Sequence, residues 1–207
     1  MPTFNNLKLK IKVYFILGKL IEKTTAPKHM LFVTQRSDFR IDIEEAKQAL
    51  NLSENDFRLV SLHEYERILI AILDKFTTLG KKGLGYSCWW DSLKKPISSI
   101  QMEYAPAVLT ELVPPEETVW FIAEDWLSTK LHGKFWLYEG KVVAVTELLG
   151  EMYGFEYYVV SKKFEWLLGE DHHGILIGVG YPIVEKIEYL KSNCKNARVT
   201  KHLMVSS

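Results

Sequence analysis

Cysteine is scarce in this 207-residue chain: Cys88 and Cys194 are the only two, and they lie far apart. That spacing supplies neither a disulfide framework nor the paired ligands of a zinc knuckle. Thiols used this sparingly fit a reducing compartment, so the expected location is cytoplasmic. An excess of either charge is also missing, since Lys plus Arg and Asp plus Glu both total 26. A nucleic-acid binder that works by displacing counterions needs a basic face, so that class is not indicated. Long apolar runs are absent too. The stretch Val13–Leu17 is followed at once by Gly18-Lys19, too short for a membrane span or a secretory signal core. Nucleotide-loop, hydrolase-elbow and zinc-protease patterns are not present, and no cofactor is implied. Repeats and low-complexity tracts are lacking as well.

What remains is an ordinary globular composition with many aromatics, six of them Trp. It can fill a sizeable core and fits one domain with an appended arm. Thr24-Thr25-Ala26-Pro27-Lys28 reads as a linker, because Pro disfavours helix at the residue before it. The expected organisation is therefore an arm over residues 1–28, a single domain over 29–192 and a frayed tail over 193–207. Within the arm, Leu7–Val13 fits either a strand or a helix. Met30–Val33 reads as a short strand.

The best helix signal begins at Ser61, where a capping residue precedes Tyr65, Ile68, Leu69, Ile72, Phe76 and Leu79 at helical spacing. Gly80 is its expected terminator. An earlier helix is expected from Asp42 to Asn51, and a short one from Pro106 to Leu112. Strands are expected at Phe57–Leu62, Ile97–Met102, Thr118–Ala123 and Lys134–Tyr138. Glu139-Gly140 then reads as a turn into a helix that runs to Gly154. Phe155–Val160, Phe164–Leu168 and Ile175–Val179 follow with short connections, which favours an antiparallel meander. Pro182 opens a last helix. The expected fold class is α+β: a mainly antiparallel sheet ending in a three-stranded meander, with helices packed on one face.

Two loops carry candidate chemistry. Glu170-Asp171-His172-His173 places carboxylates beside imidazoles, groups that ligate metals or move protons. Adjacent side chains on an extended chain diverge, so a polar turn closed by Gly174 is the simpler reading. Glu124-Asp125-Trp126 leaves a strand end, and its carboxylates can serve as acid and base or as metal ligands, or Asp125 can merely cap a turn. Glu124, Asp125, Asp171 and His172 are the catalytic candidates, and which metal, if any, they hold stays open. Trp89, Trp90, Asp91, Trp126, Glu170 and His173 are the binding candidates, since Trp is enriched where proteins meet. Cys88 has no His near it in the sequence, which leaves a thiol nucleophile unsupported.

The segments Val119-Trp120-Phe121-Ile122-Ala123-Glu124-Asp125-Trp126, Lys134–Gly140 and Phe155–Leu168, with Glu170-Asp171-His172-His173, resemble an uncharacterised bacterial protein family, a domain of unknown function. The likeness spans residues 86–190 and brings no activity or catalytic residues with it. In element order alone, the chain also resembles the small α+β immunity proteins of bacterial toxin systems. The leading expectation is thus a non-enzymatic protein-binding domain whose partner is a toxin or a second copy. A hydrolase or metal-dependent enzyme built on the acidic and His loops, and a structural or regulatory homodimer subunit, are the alternatives.

Overall fold

The computed structural model describes residues 38–125, 135–152 and 154–204. The expected arm, the strand at Met30–Val33 and the loop carrying Trp126 lie outside the described residues.

Five helices and seven strands make up the described residues: α1 Asp38–Ala49, β1 Phe57–Leu59, α2 Leu62–Phe76, β2 Ile97–Gln101, α3 Leu109–Leu112, β3 Thr118–Glu124, β4 Phe135–Lys141, α4 Val142–Glu151, β5 Tyr157–Ser161, β6 Leu167–Glu170, β7 Ile175–Val179 and α5 Tyr181–Met204. The strands form one sheet in the order β1-β4-β3-β5-β6-β7-β2. Every neighbouring pair is antiparallel. The α+β class and the terminal meander β5-β6-β7 are as expected.

Helices cover both faces of this sheet. On one side α1, α3, α4 and α5 pack against Phe121, Tyr138, Tyr157 and Leu168. On the other, α2 and Trp89 pack against Ile122, Leu137, Tyr158 and Val160. The expectation of helices on one face therefore holds for four of the five, and α2 is the correction. The reason is written in β3 and β5, where Phe121–Glu124 and Tyr157–Ser161 are buried without a break. A strand buried on alternate residues needs one cover, and a strand buried at every residue needs two.

The sequence accounts for α2 directly. The Ser61 hydroxyl accepts from the His63 amide at 3.4 Å, and Ile68, Leu69, Ile72, Leu73 and Phe76 form the buried stripe. Burying each of these side chains contributes about 2 kcal/mol. The helix ends before Gly80, because the Thr77 amide and hydroxyl both turn back to the Leu73 carbonyl, at 2.9 and 2.8 Å. Gly80, at φ +53°, opens a separate 3-10 turn over Gly80–Gly85.

A second correction concerns Glu139 and Gly140, which lie inside β4 rather than in a turn. Glu139 pairs with Arg58 and Gly140 with Phe57 across the β1 junction. A Cβ on Gly140 would sit 2.6 Å from the Phe57 ring, so the glycine allows strand and ring to approach closely.

Candidate functional site

One rank of the sheet defines a rim: Ala123 of β3 pairs with Tyr157 of β5, which pairs with Glu170 of β6. Both acidic loops therefore leave the sheet at the same end. Just beyond that rank, the Glu124 amide donates to the Glu156 carbonyl at 2.9 Å. Strand alternation sends Glu124 and Glu156 to the face that carries Ile122 and Tyr158, the α2 face. Two carboxyls thus stand side by side, 3% and 0% exposed.

The segment before Trp89 closes over them. Cys88 adopts a left-handed backbone, φ 60° and ψ 56°, which leads into the 3-10 turn Trp89–Ser92. This conformation is costly for a side chain other than Gly or Asn. It aims the Cys88 amide at Glu124 Oε2, 3.2 Å away, and brings Cys88 Sγ to 3.9 Å from Glu156 Oε1. The same Oε1 accepts from Trp90 Nε1 at 3.2 Å and lies 2.7 Å from His172 Nδ1. Glu156 Oε2 is buried with no donor in hydrogen-bonding position. The donor atoms of Cys88, Glu124 and Glu156 all lie within 4.8 Å of one another.

These neighbours shift the titration of the group. Burial, the Glu156 charge and a hydrogen bond between the two carboxyls push Glu124 up to about 7, against the pull of the Cys88 amide and Ser87. Burial and the Glu156 and Glu124 charges push the Cys88 thiol up to about 11. At neutral pH the thiol is protonated, so it is a poor nucleophile as it stands.

The candidate residues separate by face. Glu124, His172 and Trp90 meet at this centre. Trp89 lies beneath it in the core, 4.3 Å from Phe135 and 5.1 Å from Tyr158 between ring centroids. Asp91 is exposed; its amide donates to the Cys88 carbonyl at 3.2 Å, and its charge helps to raise the Cys88 thiol. Asp125 turns to the opposite face and accepts from Trp136 Nε1 at 2.9 Å. Glu170 lies on that face too, against the Tyr157 hydroxyl. Asp171 caps its own turn, accepting from the amides of His173 and Ile175, both at 2.9 Å. The His172 and His173 rings lie 3.9 Å apart, because the chain turns at this point and the divergence of an extended strand does not apply.

Cys88 and Glu156 are the two members of the centre that sequence reasoning passed over. Glu156 directly precedes a strand whose even-numbered residues share a face with Glu124, and that phase was readable. Cys88 carried no such signal, since its place depends on a left-handed turn.

A family model described as a family of unknown function (DUF6756) matches residues 35–191, and the chain belongs to that family. The match takes in α1 and α2 as well as the segments that first suggested it. No curated protein and no solved structure matches the chain.

Proposed function

We propose that this member of a family of unknown function is a protein-binding domain that presents the outer stripe of α5 and the neighbouring sheet edge to its partner. The observation that carries this reading is a pair of tyrosines on one helix face. Tyr181 and Tyr189 are 71% and 68% exposed, and Glu185, also exposed, stands between them at helical spacing. The Gly180 amide donates to the Pro96 carbonyl at 3.2 Å, which sets Ile97 of edge strand β2 beside Tyr181. Ile97 is 40% exposed. Tyrosines with an apolar neighbour and a carboxylate are the usual anchors of a protein contact, and the carboxylate suits a basic partner. Neutralising a toxin with a basic surface is one form of this reading.

The chemistry at the rim supports binding over hydrolysis. The two carboxyls that would act as acid and base lie beneath Cys88, Trp90 and His172, closed off from a substrate within the described residues.

The test has two steps. The full chain is immobilised, its partner from the source cell is identified, and the affinity of the purified pair is then measured. The variant Y181A/Y189A is expected to weaken binding at least about 30-fold, the loss of one strong anchor. Unchanged affinity in that variant would place the contact elsewhere and defeat the proposal. Self-association is checked by light scattering over a concentration series.

A further inference from the structure

From the geometry of the rim we infer a site for one borderline divalent cation, zinc by preference, with Cys88 Sγ and one carboxylate oxygen each from Glu124 and Glu156 as its protein ligands. Thiolate and carboxylate oxygen together are a donor set that zinc accepts and that magnesium and calcium do not share. The three donor atoms lie within 4.8 Å of one another. Edges of a zinc tetrahedron are about 3.5 Å, so modest contraction closes the set.

Glu156 supplies the independent observation. Its side chain is fully buried. Oε1 is committed to Trp90 and His172, while Oε2 is buried and meets no hydrogen-bond donor, which leaves it available to a cation. Two carboxyls buried side by side are costly to ionise together. A cation between them removes that cost, and it displaces the thiol proton as it binds. The balance is simple: Cys88 S–H gives H⁺ to water as the S–metal bond forms, a proton held between the Glu124 and Glu156 carboxyls leaves for water in the same way, and no electron moves.

His172 and Trp90 are positioning residues in this arrangement. Their hydrogen bonds to Oε1 fix the plane of the carboxylate, as partners of metal ligands commonly do. The cation would tie the Cys88 turn to the ends of β3 and β5, three segments far apart in the chain. This assignment is independent of the α5 contact, since zinc is measured on the isolated chain with no partner present.

The experiment uses the full chain, reduced and stripped with a chelator. Zinc sulfate alone is titrated calorimetrically, and bound metal is then counted after gel filtration. One equivalent bound tightly is expected, with a rise in melting temperature. C88S and E156Q should each weaken binding by about 10- to 100-fold, and C194S should leave it unchanged. In parallel, cobalt(II) is added to the wild type. A sulfur-to-cobalt charge-transfer band that is absent in C88S but present in C194S supports the assignment, and it needs no variant at a buried carboxyl to fold. The proposal is overturned if no stoichiometric metal binds, if the cobalt spectrum shows no sulfur ligand, or if C194S removes the band and C88S does not.

Discussion

Glu124 and Asp125 are neighbours in the chain and opposites in the fold. Asp125 faces the α4 side of the sheet and accepts an indole N–H from Trp136. Glu170, on the same side, meets the Tyr157 hydroxyl. Each of these carboxyls stands beside a neutral N–H or O–H group. Glu124 faces the α2 side and meets a second carboxyl, Glu156. One rim thus has a side where each acid stands beside an indole or a phenol and a side where two buried acids confront each other. The first arrangement is ordinary structural polarity. The second leaves charge to be cancelled by a proton or a cation, and that separates a candidate site from a well-made turn.

Crowding the α2 side should have the largest effect. Gly169 pairs with Tyr158, and a Cβ there would lie 2.7 Å from the Tyr158 ring. That ring is fully buried and packs on Trp89. Gly169→Val is expected to cost about 3 kcal/mol, the upper end for overpacking, because ring and strand cannot both yield. Urea denaturation read by tryptophan fluorescence measures it. A loss under 1 kcal/mol, against the ~3 expected, would mean that the Tyr158 layer is looser than its burial implies.

Exchanging single acids sharpens the comparison. Asp125→Ala leaves the Trp136 N–H without its acceptor and should cost about 1–3 kcal/mol. Glu124→Gln, in metal-free protein at neutral pH, removes a charge that faces another charge, so it should be neutral or stabilising. Equal losses from the two variants would erase the distinction between the two sides. With zinc present the order should reverse for Glu124, because the amide is a poorer ligand.

Much of this was legible in the sequence. The meander, the helix capped by Ser61 and the α+β class follow from period and turn chemistry alone, whereas the shared rim depends on the β3–β5 pairing and stayed open. The second helical layer was also signalled, by strands with no polar alternation, but that signal competes with the ordinary expectation of a one-sided antiparallel sheet. The centre itself was half legible. Glu124 and His172 stood out as chemistry in loops, whereas Glu156 looked like a strand residue and Cys88 like an isolated thiol. What joins them is a left-handed residue and a strand pairing between positions 32 apart in the chain, 124 and 156. Local pattern carries no record of either.

The pH dependence of stability distinguishes a proton from a cation at the paired acids. Glu124 is held at about 7 in the fold, above the 4.5 of a free Glu. Between these values the native state binds more protons than the unfolded chain, so metal-free stability is greatest below pH 4.5 as far as this group is concerned and declines as pH rises towards about 7. The decline should reach ~3 kcal/mol and disappear in Glu124→Gln. Bound zinc needs the deprotonated acid, so saturating zinc should turn the slope upward over the same window. Thermal melts at a series of pH values, with and without metal, read both slopes. An unchanged slope in Glu124→Gln would show that another group titrates.

The smallest effect concerns Cys88, whose thiol is raised to about 11 by burial and by the Glu156 and Glu124 charges. In a C194S background, alkylation by iodoacetamide at pH 8 should be slow, since the thiolate fraction falls about tenfold for each unit the thiol is raised. Glu156→Gln removes the nearer anion but leaves the thiol partly enclosed, so the rate should rise only severalfold. The corresponding change on the α4 side, Glu170→Gln, should leave the rate where it was, because the sheet separates that carboxyl from the thiol. Zinc should suppress alkylation in the parent and far less in Glu156→Gln. If Glu170→Gln accelerates the reaction as much as Glu156→Gln does, the thiol is responding to general loosening of the rim, and the charge on the α2 side is not what restrains it.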